Sequence, residues 1–273
     1  MEIKLIAMDL DGTALRDDHM TVSSRLLTAL QRAHEKGIGI VPVTGRPYQL
    51  LPPFLKEDQS WKEYAILCNG SQLRRLDTGE VLYGLTVEGK DLEAILDLAQ
   101  EHRVPVEFSA DGRLYLTEQD MQAQKDVPEL GFHCREILPK NGIVVDSLRP
   151  MCTHGAVEKV NLNGVPQQLR RQIEQGLAPL SVSGVWASGC SMEITHVAAT
   201  KGMALRRLCS MLGILPEQVL ALGDSGNDVS MLQMAGVGVA MGNAPEPVRQ
   251  AAHAVTGTNM DDGAALAIEK FAL

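Results

Sequence analysis

Short apolar runs alternate with stretches of helical periodicity over the first fifty residues. Residues 3–8 are apolar apart from Lys4 and run into Asp9, which reads as a buried strand. Ser23 or Ser24 caps a helix in which Leu26, Leu27, Leu30 and Ala33 recur at helical spacing, and Gly37 closes it. Residues 38–43 read as a second strand, Thr44-Gly45-Arg46 as a loop, and Pro47 as a first helical position. Residues 64–68 make a third strand. Near-continuous apolar strands separated by helices predict a parallel sheet covered on both faces.

The rhythm then changes. Residues 72–75 and 80–84 flank Asp77-Thr78-Gly79, a hairpin signal. Residues 91–102 form a helix with Leu92, Ile95, Leu96 and Ala99 on one face. Asp111-Gly112 between residues 104–109 and 113–117 predicts another hairpin. A strand over 157–162, a helix over 166–176 and a strand over 180–187 complete an antiparallel α+β segment. Simple alternation returns with helices at 201–212, 227–234, 245–252 and 261–271 and strands at 219–222 and 237–241, the segment around Glu193 re-entering as a hinge. The expectation is an α/β fold: a Rossmann-like parallel-sheet core of residues 1–84 and 189–273, interrupted by an inserted α+β domain of residues 85–188. Ligands in such sheets bind beyond the carboxyl ends of the strands, so residues just after strands carry the interest.

Composition narrows the partners. Among 273 residues, Lys and Arg number 25 and Asp and Glu 34, a net charge of −9. That balance argues against nucleic-acid binding, which needs a basic face. Aromatics at 4% leave little for base stacking. No apolar run reaches the length of a membrane span, and the charged N-terminus does not read as a signal peptide. Five scattered cysteines, with no C-x-x-C pair, fit reduced thiols in the cytoplasm.

Three strand ends carry polar residues suited to one site. In Asp9-Leu10-Asp11-Gly12-Thr13, strand alternation puts Asp9 and Asp11 on one side of the chain, and such a pair calls for a hard cation or for a solvated turn. Thr44-Gly45-Arg46 before a helix is either an anion site or a plain cap. Gly223-Asp224-Ser225-Gly226-Asn227-Asp228 crowds two acids and an amide at the end of an apolar strand, the kind of set that holds a metal or caps a helix. Lys201 opens a helix, where the dipole disfavours a cation unless an anion is near.

These four elements, in this order around an insert, resemble the signatures of the haloacid dehalogenase-like superfamily of phosphotransferases. Asp9-Leu10-Asp11-Gly12-Thr13 looks like its D-x-D-G-T, with Thr44, Lys201 and the 223–228 segment as the second, third and fourth signatures. The insert stands where the family's type-2 cap stands, and Met241-Gly242-Asn243-Ala244 and Asp261-Asp262-Gly263-Ala264 are similar to the Cof-type branch. The resemblance implies a Mg²⁺-dependent phosphatase of small metabolites, sugar phosphates above all. Asp9 would be the nucleophile, forming an aspartyl-phosphate, and Asp11 the general acid and base. Asp9, Asp11 through its carbonyl and Asp224 would hold Mg²⁺, with Asp228 as a further ligand or as a partner that supports the ligands. Thr44, Gly45 and Lys201 would bind the phosphoryl group, with Arg46 and Asn227 as further substrate contacts. The alternatives in other classes are a sugar phosphomutase and a noncatalytic phospho-ligand sensor. Nothing in the sequence requires a partner chain, so a monomer is compatible with it.

Overall fold

The computed structural model describes residues 2–56, 61–187 and 189–273. Strands β1 (Leu5–Met8), β2 (Gly39–Pro42), β3 (Tyr64–Leu67), β4 (Gln72–Arg75) and β5 (Val81–Gly84) come first. Next are β6 (Val106–Ala110), β7 (Arg113–Thr117), β8 (Gly142–Val145), β9 (Val157–Leu162), β10 (Val182–Trp186) and β11 (Met192–His196). Last come β12 (Val219–Gly223), β13 (Val237–Ala240) and β14 (Ala254–Val255). The chain divides into two units, one of Met1–Gly45, Leu51–Tyr83 and Thr200–Leu273, the other of Arg46–Leu50 and Gly84–Ala199.

The first unit is built on a sheet in the order β14-β13-β12-β1-β2, with every pair parallel. The run Leu-Ile-Ala-Met of β1 is buried at all four positions because both its faces are covered. On one face Leu5 and Ala7 cluster with Val219, Ala221 and, from the Lys201–Leu212 helix, Leu205, Leu208 and Cys209. Ser23 caps the Ser24–Glu35 helix through a bond from the Leu26 amide, 3.0 Å long. The third strand departs from the expected parallel set: β3 pairs antiparallel with β4 in a three-stranded β3-β4-β5 sheet. Among the described residues, isolated parallel bridges, Ile40 to Lys62 and Val43 to Ile66, continue the main sheet towards it. The order of the main sheet reverses between β1 and β12, so the crevice that binds ligands in this architecture lies at the ends of those two strands.

The second unit carries a six-stranded sheet, β10-β11-β9-β6-β7-β8, over its own core of Leu92, Ile95, Phe108, Val160, Leu162, Ile173 and Ile194. Asp111 and Gly112, with φ of +50° and +72°, make the tight turn between β6 and β7. The sheet is not purely antiparallel, because β8 runs parallel to β7. The Gly89–His102 helix packs Leu92, Ile95 and Ala99 into that core. A helix over Glu118–Lys125, absent from the sequence reading, is started by a capping box of Thr117 and Asp120.

Two boundaries differ from expectation. Residues 189–199 were assigned to the core domain, yet β11 sits between β10 and β9 in the second sheet and buries Met192 and Ile194 there. Glu193 is therefore a strand residue and not a hinge. Residues 46–50 group with the second unit, where the Gln49 amide donates to the Gly112 carbonyl at 2.8 Å. The expected boundary residue 188 lies outside the described residues.

Candidate active site

Asp9 follows β1 directly and its amide donates to the Leu222 carbonyl of β12, which fixes the strand exit. The side chain is buried. Lys201, the first residue of its helix, lies 1% exposed and reaches two carboxylates: Nζ is 2.7 Å from Asp9 Oδ1 and 2.6 Å from Asp228 Oδ1. Thr200 starts that helix by accepting the Met203 amide at 3.1 Å. A lysine at a helix start opposes the macrodipole, so the two carboxylates are what keeps it there.

Asp228 is fully committed. Its second oxygen accepts the amides of Asp224 and Ser225 at 3.0 and 2.9 Å, which folds the 224–228 turn around it. Asp224 accepts the hydroxyls of Thr13 at 2.8 Å and Ser225 at 3.1 Å. Two glycines make room. Gly12 has φ +73°, and a Cβ there would stand 2.5 Å from Asp224 Oδ2. At Gly223 a Cβ would meet the Asp228 Cβ at 2.5 Å.

Oxygens of Asp9, Asp224 and Asp228 lie within 4.8 Å of one another. Burial pushes the Asp9 carboxyl well above the ordinary carboxylate range; Lys201 opposes this and the charges of Asp228 and Asp224 add to it. Burial and the charge of Asp228 push Asp224 up to about 6. Burial works against a charged Lys201, but Asp228 and Asp9 outweigh it and hold the ammonium above its usual value. Three carboxylates thus face one ammonium, an excess of negative charge in a buried place. An all-oxygen set with surplus charge fits a hard divalent cation such as Mg²⁺.

The remaining expected residues sit as follows. Thr44 is buried, its amide donating to Ile66 and its carbonyl accepting the Asn69 amide, both at about 3 Å in the backbone ladder of the first unit. The Asn69 side chain accepts Asn227 Nδ2 at 3.0 Å, so the loops after β2, β3 and β12 are linked. The other face of the Asn227 amide, Oδ1, is buried with no hydrogen-bond partner. Gly45 ends the segment that belongs to the first unit. Arg46 belongs to the second unit and donates to the Leu50 carbonyl at 3.1 Å. The Asp11 carboxylate is not in the acidic cluster; it is half-exposed and meets His19 Nδ1 at 2.9 Å.

Sequence reasoning left four contributors without a role: Thr13, Ser225, Asn243 and Asn259. Asn243 Nδ2 holds the Gly12 carbonyl at 2.8 Å, its Oδ1 accepts the Asn259 amide at 3.1 Å, and Asn259 Nδ2 holds the Leu15 carbonyl at 3.0 Å. Thr13, Ser225 and Asn243 stood inside quoted motifs, and that was the available signal. Asn259 gave none.

A family model described as haloacid dehalogenase-like hydrolase matches residues 6–268. YxeH of Bacillus subtilis is 33% identical over 278 residues, covering 99% of this chain and 98% of YxeH. The B. subtilis 5-amino-6-(5-phospho-D-ribitylamino)uracil phosphatase YcsE is 29% identical over 274 residues, covering 100% and 97%. A crystal structure of a haloacid dehalogenase-like hydrolase from Bacteroides thetaiotaomicron superposes with a TM-score of 0.81 at 26% identity, covering 98% and 99%. The chain belongs to the haloacid dehalogenase-like hydrolase family. Within it, it is a phosphomonoester hydrolase acting on small phosphorylated metabolites. Among the described residues no helix is long and apolar enough to cross a membrane.

Proposed function

We propose that the protein is a Mg²⁺-dependent phosphatase of sugar and polyol phosphates that works through an aspartyl-phosphate on Asp9. The observation that carries this reading is the set of buried Asp9, Lys201 and Asp228 with half-buried Asp224 at the switch point of the sheet. Lys201 engages Asp9 Oδ1, which leaves Oδ2 to attack phosphorus. As the Oδ2–P bond forms, the P–O bond to the leaving group breaks, and Asp11 gives its proton to the departing oxygen. Asp11 then takes a proton from a water whose oxygen bonds to phosphorus as the Oδ2–P bond breaks, its electron pair returning to the Asp9 carboxylate, and inorganic phosphate leaves. Lys201 and the Thr44-Gly45 segment stabilise the phosphoryl oxygens as their charge grows. Asp9, Asp224 and the Asp11 carbonyl would hold Mg²⁺, while Asp228, with three hydrogen bonds, positions Lys201 and the turn. Bound there, the ion supplies positive charge that offsets repulsion between the carboxylate and the phosphate. The unpartnered Asn227 oxygen is suited to a substrate hydroxyl. The second unit, residues 84–199, serves as the cap that selects the leaving group. The phosphorylated ribityl chain in the substrate of YcsE supports a polyol phosphate as the substrate class. We place the protein in the cytoplasm on its scattered free cysteines.

The test is phosphate release from a panel of sugar, polyol, nucleotide and cofactor phosphates with Mg²⁺ and with chelator. Release that needs the metal and vanishes in Asp9→Asn supports the reading. Conversion of a hexose 1-phosphate to the 6-phosphate without free phosphate would replace it with a mutase. Binding without turnover would replace it with a sensor.

A further inference from the structure

The loop after β1 turns on a residue that is free to move. Asp11 (φ −71°, ψ 125°) and Gly12 (φ 73°, ψ −2°) have the dihedrals of the central pair of a type II turn. Glycine enters that left-handed conformation at no steric cost and leaves it as readily. Its position matters to Asp224. A Cβ on Gly12 would stand 2.5 Å from Asp224 Oδ2, so the bare Cα packs against the carboxylate. The next residue, Thr13, donates its hydroxyl to Asp224 Oδ1 at 2.8 Å. The Asp11 carbonyl lies on the other side of the same glycine.

A clasp reaches this loop from across β12. The Met241 amide donates to the Gly223 carbonyl at 3.0 Å, so the chain leaves β13 alongside the residue before Asp224. Two residues on, Asn243 Nδ2 donates to the Gly12 carbonyl at 2.8 Å, and Asn243 Oδ1 accepts the Asn259 amide at 3.1 Å. Asn259 Nδ2 donates in turn to the Leu15 carbonyl at 3.0 Å and to Asp17 Oδ1 at 3.1 Å. The loop behind the two asparagines is closed on itself. The Gly242 amide donates to the Gly257 carbonyl and the Gly263 amide to the Thr258 carbonyl, both at 2.9 Å. The loop after β1 is thus held at Gly12 and at Leu15, on either side of Thr13.

We infer that Asn243 is a positioning residue for metal binding: by fixing the Gly12 carbonyl it sets the Thr13 hydroxyl, and through it the Asp224 carboxylate, together with the Asp11 carbonyl. This rests on the reading in which Asp224 and the Asp11 carbonyl hold Mg²⁺. Both ends of the Asn243 amide are bonded to backbone, so its contribution is to order the loop and not to touch the reacting atoms. Groups that hold and orient metal ligands are commonly worth about 10–100-fold in metal affinity. Without the Asn243 donor, Gly12 can turn, and the Thr13 hydroxyl and the Asp11 carbonyl leave their places for part of the time. Metal binding must then also order the loop, and the affinity falls.

The experiment titrates Mg²⁺ by calorimetry into the full chain as wild type, Asn243→Ala and Asn243→Ser. It also follows kcat for the best phosphate of the panel against Mg²⁺ concentration. Serine is one bond shorter than asparagine and puts a hydroxyl in the vacated place, so it reads the same quantity if the alanine variant does not fold. The expected result is a Mg²⁺ dissociation constant raised about tenfold or more in either variant. The half-saturating Mg²⁺ concentration should rise to match, and kcat at saturating Mg²⁺ should stay near wild type. A merely structural role would lower the melting temperature of the metal-free protein and leave the dissociation constant where it was. A smaller rise in the dissociation constant of a folded variant overturns the assignment while the phosphatase reading stands. A loss of kcat that excess Mg²⁺ does not restore also overturns it. Absence of Mg²⁺ binding by the wild type overturns the metal reading and this one with it.

Discussion

At the scale of single residues, the site is held by opposed charges in a place with little water. Lys201→Met leaves Asp9 and Asp228 facing each other without the ammonium between them. Breaking such a buried set costs about 3–5 kcal/mol, and we expect a matching drop in the denaturation midpoint. The same change lowers kcat by about 10²–10³, the usual weight of one lost group that stabilises the transition state. Gly12→Ala is the steric counterpart. The added methyl would stand 2.5 Å from Asp224 Oδ2 on a backbone at φ +73°. The left-handed backbone alone costs about 1–2 kcal/mol, so unfolding by urea should show at least that loss, together with activity lower than the wild type's. That Asp9, Lys201, Asp224 and Asp228 meet was legible, because each follows a strand or opens a helix at one end of a parallel sheet. The Thr13 to Asp224 bond, 211 residues apart in sequence, was not, since nothing local records a partner at that distance.

At the scale of elements, the Lys201–Leu212 helix begins with Lys201, so its cap also aims that lysine. Thr200→Ala removes the bond to the Met203 amide. The expected cost is about 1 kcal/mol, with kcat reduced and Thr200→Ser restoring both. Helices and strands with a clear apolar period were readable: Leu26, Leu30 and Ala33 lie buried on one side of their helix, and Leu92, Ile95 and Ala99 on one side of theirs. Three strands escaped: β8, β11 and the two-residue β14. β8 is Gly-Ile-Val-Val, four residues with no fully buried position, and it is a strand because β7 offers it a parallel edge. β11 alternates as a strand should, but its sequence does not say which sheet receives it; pairing with β9 and β10 decides that. The Asp111-Gly112 turn, in contrast, requires positive φ at both residues, and that chemistry is visible in the two letters themselves.

At the scale of the whole molecule, each unit has its own sheet and its own core. Excess Mg²⁺ should raise the melting temperature of the wild type at neutral pH; metal at a hundred times its dissociation constant stabilises by about 2.7 kcal/mol. Chelator should abolish the shift and Asp224→Asn should blunt it. In the second unit Glu107 is fully buried. Burial works to raise its pKa, yet His133 at 2.7 Å and hydrogen bonds from Gln124 and Asn161 bring it below the ordinary value of 4.5. A carboxylate with a depressed pKa stabilises the fold fully above its usual value and loses that contribution as pH falls through the depressed one. Glu107→Gln should therefore cost about 2 kcal/mol at pH 7, and the gap to wild type should close in melts below pH 4.5. The two units also differ in how the chain supplies them. Gly84–Ala199 is one continuous stretch, whereas β1 must wait for β12 to enter the sheet beside it. A ribosome adds about 5–20 residues each second, so Asp9 emerges roughly ten to forty seconds ahead of Asp228. During synthesis the inserted unit has all but its five-residue outlier at 46–50 in a single block and can settle early. The first unit comes together only when translation is nearly finished, and a chain truncated before β12 lacks Asp224 and Asp228 of the acidic cluster.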